Sequence, residues 1–126
     1  MRANGATMTI TQGLNLLVVD DEPDMLSSLQ RILKVRGFSV EIANSGEEAV
    51  AWARDHEPDG ILIDIKMPGM NGVEAVREIR SLRPDVFVVF MTGYSEFVKE
   101  AEDEGSVAVL SKPVDPGQVC ELFEEA

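Results

Sequence analysis

Residues 14–21 read Leu-Asn-Leu-Leu-Val-Val-Asp-Asp, an apolar run closed by two acids. The run is too short for a helix and does not alternate, which is the pattern of a strand buried on both faces. Three further stretches repeat it. Gly60-Ile61-Leu62-Ile63 ends in Asp64, Val86-Phe87-Val88-Val89-Phe90-Met91 ends in Thr92, and Val107-Ala108-Val109-Leu110 runs into Ser111 and Lys112. Phe38 to Ile42 alternates instead, as an edge or half-exposed strand does.

Helical patterns fill the gaps between these strands. Pro23 suits a first helical position, Met25, Leu26, Leu29, Ile32 and Leu33 follow at helical spacing, and Gly37 marks the stop. Ser45-Gly46-Glu47-Glu48 reads as a capping box, with Ser45 as N-cap and Glu48 reaching back. Ala49, Val50 and Ala53 form the stripe behind it. Val73, Val76, Ile79 and Leu82 mark a third helix after the turn-rich Pro68-Gly69-Met70-Asn71-Gly72. Ser95 to Glu104 is the weakest helical segment, anchored by Phe97, Val98 and Ala101, and the last helix runs from Pro116 with Val119, Cys120, Leu122 and Phe123. Five β-α units in succession imply an α/β fold, a doubly wound parallel sheet flanked by five helices. The five strands fit the flavodoxin-like order 2-1-3-4-5, in which ligands bind at the carboxyl ends of strands 1 and 3.

A chain of 126 residues suits one domain with one core. We assign residues 13–126 to that domain and residues 1–12, polar and without pattern, to a flexible N-terminal tail. The tail has no apolar stretch of the secretory kind, no run approaches the ~20 apolar residues of a membrane span, and Cys120 has no partner for an internal disulfide. These features point to the cytoplasm. The 23 acidic and 11 basic residues leave a net charge of −12, which repels phosphate backbones and argues against direct nucleic-acid binding.

The polar residues gather where the strand order predicts a site. Asp20 and Asp21 end strand 1, Asp64 strand 3, Thr92 strand 4 and Lys112 strand 5. Three carboxylates at one sheet edge are costly unless a cation joins them, and a hard divalent ion such as Mg²⁺ takes oxygen ligands of this kind. A hydroxyl and an ammonium beside them supply donors and positive charge for a phosphoryl group, and a carboxylate can act as its nucleophile. Read singly, the residues have ordinary explanations: Asp20 as an N-cap, Asp64 as turn chemistry, Thr92 as a strand end, Lys112 as a solvated cation. Their convergence favours the site.

From about Leu14 to Phe123 the chain resembles the receiver domain of two-component response regulators. The resemblance is carried by Val-Val-Asp-Asp-Glu-Pro (18–23), Asp-Ile-Lys-Met-Pro-Gly-Met-Asn-Gly (64–72), Met-Thr-Gly-Tyr (91–94) and Ser-Lys-Pro (111–113). It implies that Asp64 accepts phosphate from the phosphohistidine of a sensor histidine kinase or histidine phosphotransfer domain. It implies further that Asp21, Asp64 and the Lys66 backbone carbonyl bind Mg²⁺, with Asp20 assisting through water. Thr92 would then hydrogen-bond the phosphoryl group and Lys112 pair with it, and Lys112–Pro113 would be a cis peptide. The implied readout, to an output domain or a homodimer, is the face of helix 4, strand 5 and helix 5, with Phe97, Glu100, Val107 and Val119. Such a domain is a switch with self-phosphorylation and slow autodephosphorylation, not a turnover enzyme. It would serve equally as a stand-alone regulator or as part of a longer response regulator or hybrid kinase.

Several positions depart from the pattern or vary within it. Val109 stands where the family commonly has an aromatic switch residue, and Gly93 where it often has alanine. Lys66 and Tyr94 border the path of the hydrolytic water and are expected to set the lifetime of the phosphorylated state. One rival is a Mg²⁺-dependent phosphatase or phosphotransferase with an aspartyl intermediate. Enzymes of the haloacid-dehalogenase type carry a second acid two residues after the nucleophile, where this chain has Lys66. A phosphorylation-independent interaction module is the other rival, and the full set of pocket residues speaks against it. His56, Cys120, Trp52, the acidic stretch 100–104 and Glu121, Glu124 and Glu125 are read as structural or solvated.

Overall fold

The computed structural model describes residues 13–93, 98–105 and 108–124. Its strands are β1 (Asn15–Val19), β2 (Ser39–Ala43), β3 (Gly60–Asp64), β4 (Phe87–Thr92) and β5 (Ala108–Ser111). They alternate with helices α1 (Pro23–Val35), α2 (Gly46–Asp55), α3 (Gly72–Leu82), α4 (Val98–Asp103) and α5 (Pro116–Glu124). All strand pairs are parallel, in the order β2-β1-β3-β4-β5. The alternating stretch forms the edge strand β2, shifted by one residue from the expected 38–42.

The continuous apolar runs are explained by two cores, one on each face of the sheet. Leu17 and Val19 of β1 and Ile61 and Ile63 of β3 pack with α2, α3 and Ala101 of α4. Leu16, Val18 and Leu62 point the other way, against Leu26, Leu29 and Leu33 of α1 and Val119, Cys120 and Phe123 of α5. Successive strand side chains point to opposite faces, so strands covered on both sides need an apolar residue at every position. Val119, expected on the readout surface, is fully buried. The spacing of Val119, Cys120 and Phe123 puts all three on the stripe that α5 turns toward α1. Phe97 and Val107, expected on the same surface, lie outside the described residues, as do Tyr94 and residues 1–12; the side chain of Glu100 does too.

The cap of α2 forms with one change. Ser45 accepts the Glu48 N–H at 3.1 Å, but Glu48 accepts from Asn44 rather than from Ser45. A full capping box occurs instead at α3, where Asn71 and Glu74 each accept the other's backbone N–H at 2.9 Å. Within the described residues, the helix following β4 covers Val98–Asp103 of the expected 95–104, of which 95–97 lie outside the described residues. Among the described residues no helix is long and apolar enough to cross a membrane.

Candidate functional site

Strand register assembles the site. Val19 pairs with Ile63, so Asp20 and Asp64, the next residue on each strand, leave the sheet side by side. Asp64 pairs with Met91, which puts Thr92 one step beyond it, and Thr92 pairs with Ser111, the residue before Lys112. Backbone hydrogen bonds continue this order past the strands: Asp20 N–H to Ala43 O (3.3 Å), Ile65 N–H to Met91 O (2.9 Å) and Lys112 N–H to Thr92 O (2.9 Å). The Lys112–Pro113 peptide is cis.

Asp20, Asp64 and Thr92 are the buried polar residues of the described chain, while Asp21 is exposed. Carboxylate oxygens of Asp20, Asp21 and Asp64 lie within 4.8 Å of one another. This all-oxygen set is compact enough for one divalent cation. The Lys112 ammonium lies 2.9 Å from Asp20 Oδ2 and 3.1 Å from Asp64 Oδ2. Its approach to Asp20 lacks hydrogen-bond alignment, so the buried Oδ2 has a counter-charge but no aligned donor among the described residues. An oxygen in that position suits a metal ligand or a metal-bound water. Asp20 Oδ1 accepts the Glu22 N–H at 3.0 Å, and the N-cap of α1 is Glu22 itself, without a side-chain cap. The capping explanation of Asp20 therefore fails.

Burial, and next the negative charge of Asp20, push the Asp64 carboxyl from an ordinary 3.8 up to about 6, against the opposing pull of Lys112. Burial likewise raises Asp20, again against Lys112. Burial alone would lower the Lys112 ammonium, but the carboxylates of Asp20, Glu22 and Asp64 close against it outweigh that and hold it above its usual range. One lysine thus supplies positive charge among three carboxylates.

Glu22 is a contact that sequence reasoning missed. Its carboxylate accepts from Lys112 at 3.1 Å across 90 positions of sequence. Beside two aspartates it reads as a helix-terminus acid, and nothing local announces its partner. The pocket opens as a cleft of about 550 Å³ lined by Asp21, Glu22, Asp64, Lys66, Met67, Pro68 and Lys112.

The response regulator receiver domain family matches residues 16–124. This chain belongs to that family. It is 36% identical over 115 residues to the transcriptional regulatory protein ZraR of Escherichia coli K12, an alignment covering 90% of this chain and 26% of ZraR. The chain therefore spans about a quarter of the length of that curated relative. A receiver domain protein (CheY-like) from Methanospirillum hungatei superposes with a TM-score of 0.84 at 33% identity, covering 89% of this chain and 91% of the other. The response regulator TrrA of Thermotoga maritima, solved in complex with Mg²⁺–BeF, gives a TM-score of 0.80 at 28% identity over 89% and 97% of the two chains. The receiver reading and its strand order thus stand: residues 16–124 form a response regulator receiver domain.

Proposed function

We propose that Asp64 is the phosphoacceptor of this receiver domain, charged by a sensor histidine kinase or a histidine phosphotransfer domain. The observation that carries it is the burial of Asp64 beside two further carboxylates and under Lys112. An Asp64 oxygen attacks phosphorus, the P–N bond of the phosphohistidine breaks, and the imidazole leaves with its electron pair. Lys112 then exchanges carboxylate partners for phosphoryl oxygens, and the Thr92 hydroxyl donates to another.

Asp20, Asp21, Asp64 and the Lys66 backbone carbonyl would hold Mg²⁺, the metal found with a phosphoryl mimic in TrrA. When bound, the cation supplies positive charge that screens the carboxylates and the incoming phosphoryl group. The product is a switch, not an enzyme with a released substrate, and its face around α4, β5 and α5 would meet an output domain or a second copy. The domain works in the cytoplasm, and its charge of −12 disfavours nucleic-acid contact by this segment.

Incubation with acetyl phosphate and Mg²⁺, read by intact mass, tests the assignment. The chain should gain one phosphate, lose the gain on chelation of Mg²⁺, and show none in Asp64→Asn. Phosphate retained by Asp64→Asn would place the acceptor elsewhere.

A further inference from the structure

The loop from Ile65 to Asn71 joins β3 to α3 and carries Lys66. Its two ends are tied to the neighbouring strand β4 and to the start of α3. Gly72 N–H donates to Ile65 O at 2.7 Å, Ile65 N–H donates to Met91 O, and the Asn71–Glu74 box fixes the start of α3. The outer part, Pro68-Gly69-Met70, is met from the side by the first turn of α2. Glu47 Oε2 accepts the Met70 N–H at 3.1 Å. Gly69 has φ +75°, and a Cβ there would lie 2.8 Å from the same Glu47 oxygen. A Cβ on Gly46 would lie 2.9 Å from the Met70 carbonyl oxygen. One acid and two glycines therefore serve a single close approach between α2 and this loop.

We propose that Glu47 is a positioning residue for the metal site, holding through the Met70 amide the loop that carries the Lys66 carbonyl. This rests on the reading above, that the loop supplies a metal ligand. The ligand atom is a backbone carbonyl, so its placement depends on the loop's conformation and not on a rotamer. A loop tied only at its ends keeps freedom in its middle, and the cost of ordering it then falls on metal binding. Glu47 removes that freedom beforehand.

A plainer role exists for the same residue. An acid in the first turn of a helix is favoured by the helix dipole, and Glu48 sits there too. The two roles ask for different atoms. The dipole needs negative charge, which Glu47→Asp keeps. The clamp needs an acceptor oxygen at glutamate's reach, which Glu47→Gln keeps and Glu47→Asp shortens by one methylene.

Titration of the 126-residue chain with Mg²⁺, followed by the amide signals of Asp64 and Lys66, measures the metal dissociation constant. Amide exchange at Met70 without metal reports the clamp directly. We expect Glu47→Ala to weaken Mg²⁺ binding about three- to tenfold, below the ~10–100-fold typical of groups that touch a metal ligand, and to speed Met70 exchange. Glu47→Gln should stay near the unsubstituted chain in both readouts, and Glu47→Asp should resemble Glu47→Ala. If Glu47→Ala does not fold, the Gln and Asp pair carries the test. Rescue by Asp and not by Gln, or unchanged Mg²⁺ affinity with faster Met70 exchange, would overturn the inference. Failure of the unsubstituted chain to bind Mg²⁺ would overturn the metal reading itself, and is seen before any variant is made.

Discussion

The β3 side of the sheet edge and the β5 side are built to different standards. All five residues of β3 are buried, and Asp64 leaves a strand paired on both sides. In β5, Ala108 and Val109 are only half-buried, and the strand pairs on one side alone. Of the neighbouring α4 the described part is Val98–Asp103, and the turn after it is tied to α3 by Arg80, which donates to the Glu104 and Gly105 carbonyls, and by the Arg77–Glu104 ion pair at 2.6 Å. A phosphoryl site needs fixed geometry, while a readout needs an element with little to lose on moving. Under the proposed function, the difference places chemistry on one side and responsiveness on the other.

The largest expected effect comes from attacking the rigid side. Gly72 has no room for a side chain, because a Cβ there would collide with the Asp64 carbonyl oxygen. Gly72→Ala must push α3 from the end of β3, and should cost about 3 kcal/mol in urea unfolding. A loss below about 1 kcal/mol would mean that the β3–α3 junction is softer than it looks. Lys112→Ala comes next. It leaves Asp20 and Asp64 without their counter-charge, and should cost about 2 kcal/mol at pH 7.5 without metal. Added Mg²⁺ should recover most of that loss, since the cation replaces the missing ammonium among the carboxylates.

The acidity of Asp64 predicts a smaller, signed effect in the unsubstituted chain. Its folded value of about 6 lies above the ordinary 3.8. The fold therefore favours the protonated form, and this contribution to stability is full below pH 3.8 and lost as pH rises through about 6. Between pH 5 and 7.5 the metal-free chain should lose about 1–2 kcal/mol from this group. Metal binding needs the carboxylate ionised, so stabilisation by Mg²⁺ should be larger at pH 7.5 than at pH 5. Urea midpoints at the two pH values, with and without Mg²⁺, check both signs. Equal Mg²⁺ stabilisation at both would show that Asp64 is not among the ligands.

Legibility in the sequence follows the same division. The β1 and β3 runs were readable because burial on both faces demands apolar residues throughout, and the acidic residues follow directly where each run stops. Strand order then places Asp20 beside Asp64. Glu22 and Glu47 were not readable as parts of the site. Each is an acid in or just before the first turn of a helix, where helix chemistry already explains it, and its partner is distant in sequence: Lys112 for Glu22, the Met70 amide for Glu47. Val119 was misplaced for a related reason. An apolar residue on a terminal helix marks a buried stripe, but only the packing of α5 against α1 shows which face that stripe occupies.

The smallest effect is expected at Gly93, and it is the sharpest probe of the responsive side. Gly93 follows Thr92 as Gly72 follows the β3–α3 loop, but among the described residues a Cβ on Gly93 would meet nothing within 4 Å. The residue is exposed, so Gly93→Ala adds no clash and restricts mainly the unfolded chain. Stability should change by less than about 1 kcal/mol, toward a gain. The backbone at Gly93 would become stiffer, and in the proposed mechanism the neighbouring Thr92 closes on the phosphoryl group. Hydrogen exchange in α4 with and without beryllofluoride should then show a smaller ligand-induced difference in Gly93→Ala than in the unsubstituted chain. An undiminished difference would mean that the signal leaves the pocket by another path, with β5 and its half-buried Val109 the next place to look.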